Sequence, residues 1–320
     1  MAVLVTGAGG FTGGHLVARL VREGESVRAM LRRAPAARFM SEITTGDVRD
    51  PAACARAVEG IDTVYHLAAS YRDTGFGEAD HMAANLHGTE HMYAAARNAG
   101  VRRFVYCSTV GVHGEIHGAA AAEDSPFAPT DPYQASKCAA EEYLQRQSSS
   151  MELVIFRPSG IYGPGDRRLL KFFRLIARGR FFMIGDGTPR YHLTYIDDLI
   201  EGILLCGRLP QAAGEVFILA GPHAPTLNEW AATVADVLGA AAPRLHLPVW
   251  PFMAAASVAE RLCPLLGLTP PIFKRRMDFF TKNREFSIAK ARTILGFAPS
   301  VQVHAGMERT AQWYREARLL

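Results

Sequence analysis

Cysteine is scarce in this chain: five residues among 320, at Cys54, Cys107, Cys138, Cys206 and Cys263, with no CxxC pair and no ligand-like spacing. So odd and scattered a set argues against a disulfide framework or a thiolate metal site, and for free thiols in a reducing compartment. An excess of one charge is also lacking. Lys and Arg number 35 against 31 Asp and Glu, and no dense basic stripe alternates with aromatics, which argues against a nucleic-acid partner. Long apolar runs are missing as well. The longest uncharged stretch, residues 245–259, contains Pro248 and Pro251 and is too short to cross a bilayer. Nothing at the N-terminus has the basic start, extended apolar stretch and small-residue cleavage site of a secretory signal. These absences predict a cytoplasmic protein with no transmembrane segment.

What is present is alternation. Short apolar runs at Ala2–Thr6, Ser26–Leu31, Asp62–Leu67, Phe104–Ser108 and Leu153–Arg157, with a weaker one at Ile43–Gly46, read as buried strands. Between them, stretches such as Leu16-Val17-Leu20-Val21 and residues 79–100 carry apolar residues at three- and four-residue spacing. This pattern predicts an α/β fold, a Rossmann-type doubly wound parallel sheet with right-handed crossovers. The second half reads as a smaller, mostly helical substrate domain. Its helices are expected at Arg168–Arg178, Asp198–Leu205, Thr226–Leu238, Met253–Leu262 and Met307–Arg318, and short strands at His192–Tyr195 and Val216–Leu219. The expected division is 1–166 for the nucleotide-binding domain, with 190–222 returning to it, and 167–320 for the rest.

Gly7, Gly10 and Gly13 punctuate Thr6-Gly7-Ala8-Gly9-Gly10-Phe11-Thr12-Gly13 between the first strand and first helix. Glycine permits a tight turn there and lets backbone N–H groups approach a pyrophosphate at the positive helix end. Phe11 and Thr12 belong to the same loop. The second strand ends in Leu31-Arg32-Arg33, without the acid that selects NAD by binding both ribose hydroxyls. Arg32 and Arg33 stand where a 2′-phosphate is paired, which favours NADP(H) over NAD(H), although such arginines also occur in plain solvated turns. Asp47-Val48 is expected to flank the adenine; an ordinary strand-end cap is the alternative for Asp47.

Tyr133-Gln134-Ala135-Ser136-Lys137 places a phenol and an ammonium four residues apart, on one face of a helix. An ammonium beside a phenol stabilises the phenolate, so Tyr133 is expected to exchange a proton near neutral pH. Upstream, the strand Phe104–Ser108 runs into Thr109, and Thr109 is read as a substrate hydrogen-bond donor ahead of Ser108. Hydroxyls at strand ends also serve as simple turn formers.

The ordered segments TGAGGFTG, GDVRD, YHLAA, NxxGT, CSTVGVHG, YQASK, RPSGIYGPGD and YIDDL resemble the extended short-chain dehydrogenases, the NAD-dependent epimerase/dehydratase family. The resemblance returns at Phe286–Ala291 and Leu295-Gly296-Phe297. It implies that Leu67, Ala68 and Ala69 pass beside the cofactor and that Pro158 supports the nicotinamide ring. Asn85 is placed on the nicotinamide side, with a helix cap as an equal alternative. Thr109, Tyr133 and Lys137 match the family's Ser/Thr–Tyr–Lys triad, in which the hydroxyl positions a carbonyl or alcohol, Tyr shuttles the proton, and Lys binds ribose and tunes Tyr. A homodimer through 79–100 and 133–148 is also implied.

Within that family three reactions compete. Dehydratase-like members carry an acid where this chain has Val110. Sugar-nucleotide epimerases carry arginines that grip a diphosphate; here Tyr191 holds the first position, beside Arg190, and the second region reads Lys274-Arg275-Arg276-Met277-Asp278-Phe279-Phe280-Thr281. The apolar segments Val249–Ala256 and Leu262–Leu268 resemble the 3β-hydroxysteroid dehydrogenase-like branch. They suit cover for an apolar substrate, contact with a membrane surface, or an amphipathic core helix. The expectation is ketone/alcohol oxidoreduction of a hydrophobic or medium-sized small molecule. A nucleotide-sugar epimerase is the alternative, and a non-catalytic dinucleotide-binding protein a minor one. No metal is expected. His81, His87 and His91 read as helix-face residues, and Asp197-Asp198 as acids at a helix start.

Overall fold

The strands predicted from apolar runs assemble side by side into one sheet. In the computed structural model, which describes residues 2–33, 41–71, 77–148, 150–263 and 274–320, the strands are β1 (Ala2–Thr6), β2 (Ser26–Leu31), β3 (Glu42–Thr45), β4 (Thr63–His66), β5 (Arg103–Cys107), β6 (Glu152–Pro158), β7 (Gly160–Tyr162), β8 (Met183–Ile184), β9 (Leu193–Tyr195), β10 (Val216–Leu219) and β11 (His246–Leu247). Seven of them form a parallel sheet in the order β3-β2-β1-β4-β5-β6-β10. Parallel strands are buried on both faces, which is why β1, β4 and β5 centre on adjacent apolar residues rather than alternations. The strand order reverses direction between β1 and β4, and ligands of such sheets bind in the crevice at that point.

Helices α1 (Phe11–Arg22), α2 (Pro51–Ala57), α3 (Glu78–His81), α4 (Gly88–Asn98), α5 (Pro132–Gln145), α6 (Leu170–Ala177), α7 (Ile196–Arg208), α8 (Leu227–Leu238), α9 (Val249–Leu262), α10 (Lys274–Thr281), α11 (Ala289–Leu295) and α12 (Val303–Glu316) cover the sheet or extend beyond its ends. Leu16, Leu20, Leu199 and Ile203 of α1 and α7 bury against one face. Cys54, Met92, Tyr93, Ala140 and Leu144 of α2, α4 and α5 bury against the other. Fully burying each such side chain contributes roughly 1.5–3 kcal/mol.

Several local features depart from the sequence reading. Helix α2 was not anticipated; Asp50 caps it, accepting from Ala52 N–H at 2.9 Å, and Pro51 takes its first position. The predicted 79–100 helix is interrupted by a π-turn at Met82–His87. Helix α9 starts at Val249, four residues before the expected Met253, because Pro248 caps it and Pro251 falls in the first turn, where a missing N–H costs no helical bond. Among the residues of α9, Ala256 is buried while Trp250 is 74% and Val258 55% exposed. Most of the apolar segment Leu262–Leu268 lies outside the described residues, as do the side chains of Lys274, Arg275 and Arg276. No helix among the described residues is long and apolar enough to cross a membrane.

Candidate active site

The glycine loop leaves β1 and opens α1 at the sheet's point of reversal. Gly7 has φ +68°, and a Cβ there would lie 2.8 Å from Leu67 and Ala68 backbone atoms. A Cβ on Gly13 would lie 2.2 Å from the Gly7 carbonyl oxygen. The first turn of α1 has no side-chain cap and no acidic residue. A glycine-lined turn ending in an uncapped helix N-terminus fits the pyrophosphate of a dinucleotide. Phe11 lies beneath the Arg168 guanidinium, 5.8 Å from its ring centroid, and Thr12 is half-buried in the same turn.

Arg32 and Arg33 are exposed just beyond β2. Asp47 binds Arg49 through the backbone N–H at 2.9 Å and through a side-chain pair at 2.8 and 3.0 Å. That guanidinium, with Arg32 nearby, holds the Asp47 carboxyl below its usual range. Asp47 therefore caps its own turn. Val48 is buried against Gly88, and its carbonyl accepts from the Cys54 thiol at 3.3 Å.

Leu67, Ala68 and Ala69 follow β4 beside Gly7, and Ala68 N–H donates to Thr6 Oγ1 at 3.1 Å. Asn85 is fully buried within the π-turn. Its Oδ1 accepts from Ser70 N–H at 2.7 Å, and its Nδ2 donates to Ser70 O at 3.1 Å and Ser136 Oγ at 2.9 Å. The helix-cap alternative for Asn85 does not hold, because its side chain ties the segment after β4 to α5. Pro158 ends β6, in register with Leu219 of β10.

Tyr133 and Lys137 occupy the first two turns of α5, which Asp131 caps by accepting from Gln134 N–H. The Thr109 side chain lies beside the Tyr133 phenol and favours its ionised form. Tyr71 meets the Tyr133 ring edge-on at 4.8 Å between centroids, and His81 meets it at 6.2 Å. Burial, with Cys107 and Tyr71 adding to it, pushes the Tyr133 phenol well above its usual value. The expected pairing of ammonium with phenol is corrected here: Lys137 Nζ donates instead to Cys107 O at 2.7 Å and to Tyr106 Oη at 3.2 Å, on β5. Four-residue spacing sets two side chains on one helix face but not on one another, and the end of β5 offers the ammonium acceptors.

Ser108 is removed from contention. It is buried and donates to Glu141, which forms a buried ion pair with Arg157 at 2.6 Å. Arg157 also donates to Glu123 O at 2.8 Å and to His113 Nε2 at 3.0 Å. Thr109 stays half-exposed, and its Oγ1 accepts from Gly111 N–H at 3.1 Å.

Toward the C-terminal half, Arg168 pairs with buried Asp166 at 2.7 Å and lies within electrostatic reach of Tyr71 and Tyr191. Tyr191 stacks on Trp230 at 5.5 Å and meets Phe279 at 5.4 Å. Arg190 is spent on Ala224 O at 2.7 Å and Glu285 at 3.5 Å. Sequence reasoning gave Tyr71, Glu141 and Arg157 no role. Tyr71 had no signal, but Glu141 follows Tyr133 and Lys137 at a four-residue spacing that marks a shared helix face.

Residues 3–220 match the model of the NAD dependent epimerase/dehydratase family, more than half of the chain. The chain belongs to that family. A 2-alkyl-3-oxoalkanoate reductase of Stenotrophomonas maltophilia is 33% identical over 97% of this chain and 98% of its own. A 3 beta-hydroxysteroid dehydrogenase/Delta 5→4-isomerase of Mycobacterium tuberculosis is 30% identical over 98% of this chain and 90% of its own. Among solved structures, gox2253 superposes with TM-score 0.83 at 28% identity, covering 100% of this chain and 99% of that one. A UDP-glucuronic acid 4-epimerase from Bacillus cereus, in complex with NAD, gives TM-score 0.77 at 25% identity and covers 99% of each chain. The family thus spans reductases, dehydrogenases and nucleotide-sugar epimerases, and this chain is an enzyme of the same kind, NAD-dependent at the level of the family.

Proposed function

We propose that this enzyme interconverts a ketone and a secondary alcohol on a hydrophobic small molecule, with net hydride transfer to or from a dinucleotide. One observation carries the choice over an epimerase. Where a diphosphate-gripping arginine is expected, Tyr191 stacks into Trp230 and Phe279, and neighbouring Arg190 is committed elsewhere. An aromatic side chain at that position favours an apolar substrate and offers a diphosphate no charge-assisted bond. The similarity to a 2-alkyl-3-oxoalkanoate reductase supports the same class.

The dinucleotide, when bound, supplies the hydride donor or acceptor. Gly7, Gly10, Phe11, Thr12 and Gly13 hold its pyrophosphate, while Asp47 and Val48 flank its adenine. Leu67, Ala68, Ala69, Asn85 and Pro158 border the rest. Arg32 and Arg33 make NADP(H) the preferred form. Tyr133 transfers the proton at the substrate oxygen and Thr109 orients that oxygen. Lys137, with two N–H bonds fixed on β5, directs the third at the ribose.

The same reading divides the chain into 1–166 with 190–222, and 167–320. It also places a homodimer interface at 79–100 and 133–148, locates the protein in the cytoplasm, and allows the exposed apolar face of α9 to rest on a membrane surface. The test is a panel of long-chain β-keto compounds, hydroxysteroids and UDP-, GDP- and dTDP-sugars, each with NADH and NADPH. Net change of dinucleotide absorbance with apolar carbonyls supports the reading. Isomerised sugar nucleotide without net change defeats it in favour of the epimerase.

A further inference from the structure

Lys137 has three N–H bonds, and the fold directs two of them at one strand. Its Nζ donates to Cys107 O at 2.7 Å and to Tyr106 Oη at 3.2 Å, and lies 4.6 Å from the centroid of that same ring. The Tyr106 ring also stacks on His66 at 6.0 Å between centroids. Thr89 Oγ1 donates to Asn85 O at 2.6 Å, so toward His66 Nε2, 3.2 Å away, it is the acceptor. His66 therefore carries its proton on Nε2, and its Nδ1 accepts from the Thr6 hydroxyl at 2.9 Å. Thr6 Oγ1 in turn accepts from Ala68 N–H at 3.1 Å. Hydrogen bonds thus run from Thr89 through His66 and Thr6 to the backbone that borders the glycine loop, and the His66 ring is stacked on the phenol that holds the ammonium. Thr6, His66, Thr89 and Tyr106 are fully buried and Lys137 nearly so, which removes competing water.

We propose that Tyr106 is a positioning residue of this site, holding the Lys137 ammonium while its ring stacks on His66, whose hydrogen bonds reach Thr6 beside the dinucleotide-binding loop. The inference rests on reading that loop as the cofactor site. A phenylalanine fills the same space and keeps the ring beneath Nζ, but it leaves the ammonium with the Cys107 carbonyl alone. The titratable groups around Lys137 are Tyr106 and Cys107 on β5, His66 on β4 and Glu141 on its own helix, and Glu141 is committed to Arg157 of β6. Burial already lowers the Lys137 pKa. Loss of an acceptor lowers it further, so the charge disappears at lower pH.

The test is titration of NADH and NADPH by fluorescence into wild type, Tyr106→Phe, Lys137→Met and the double variant across pH, with thermal melts of each. Tyr106→Phe is expected to weaken binding about tenfold at neutral pH, the scale of a hydrogen bond to a charged group. Its alkaline loss of binding should begin at lower pH than in wild type. The double variant should lose no more than Lys137→Met alone, because Tyr106 acts through the ammonium. Wild-type affinity and pH dependence in Tyr106→Phe, even with a lowered Tm, overturn the proposal, as do fully additive losses. If Tyr106→Phe fails to fold, 3-fluorotyrosine placed at position 106 weakens the acceptor with the ring kept and gives the same pH readout. No substrate is needed, so wild type that binds dinucleotide without reducing apolar ketones defeats the proposed function and leaves this result standing.

Discussion

Glu141 and Arg157 form a buried ion pair that fastens the helix bearing Tyr133 and Lys137 to the strand ending in Pro158. The carboxylate also accepts from Ser108, next to Thr109, so three segments of the site meet at one charge pair. Leaving one partner buried and alone costs about 3–5 kcal/mol. Glu141→Gln and Arg157→Met are each expected to lower stability on that scale in urea unfolding. The double replacement Glu141→Leu with Arg157→Met should recover much of the loss but not the activity, because Ser108 loses its acceptor. A stable Arg157→Met single variant would contradict this account.

Tyr133→Phe removes the proton-transfer group and little else. Its turnover should fall roughly 10²–10⁴-fold, the usual weight of general acid–base catalysis. Dinucleotide affinity should stay within about twofold of wild type, since the ring packing on Tyr71 remains. Single-turnover kinetics and a binding titration on one preparation check both halves of the statement.

A methyl group on Gly13 would collide with the Gly7 carbonyl at 2.2 Å, and backbone cannot swing aside as a side chain does. Gly13→Ala is therefore expected to cost about 1–3 kcal/mol of stability and to abolish measurable dinucleotide binding. Gly24→Ala is the control for adding a methyl in open space, though its φ of +81° brings a backbone penalty of its own.

Stability should fall on the acid side of neutrality for a reason separate from the active site. Burial lowers the pKa of His66 to about 3 and of His192 to about 4, from a usual 6.5. Below 6.5 the unfolded chain takes up protons that the folded chain refuses, so their contribution is complete above that value. It is lost as pH falls from there toward the folded-state values. Each histidine adds up to about 1.4 kcal/mol per pH unit to the slope. Chemical unfolding between about pH 7.5 and about pH 5 should show this slope, and His192→Gln should reduce it.

The sheet was largely legible because parallel strands are buried on both faces and announce themselves as apolar runs, as Ala2–Thr6 and Val216–Leu219 do. The glycine loop was legible because only particular backbone geometry calls for that spacing. Helix α2 was not, since Pro-Ala-Ala-Cys-Ala-Arg-Ala is too short and too uniformly small to show a period. The destination of Lys137 was hidden for another reason. Tyr106 is thirty-one residues away, and their meeting depends on how α5 sits across β5, which no local pattern encodes. Thr109 was already read ahead of Ser108, but the tie of Ser108 to Glu141 is non-local and no strand-end pattern encodes it.

Isotope transfer tests the central claim most directly. The enzyme is incubated with NADPH deuterated at the transferable position and a long-chain β-keto compound, and the product is analysed by mass spectrometry. The account predicts one deuterium on the new carbinol carbon, one dinucleotide consumed per product, and loss of both with Tyr133→Phe. Unlabelled, unreduced carbonyl compound, together with isomerised UDP-sugar and unchanged dinucleotide in a parallel incubation, would contradict it.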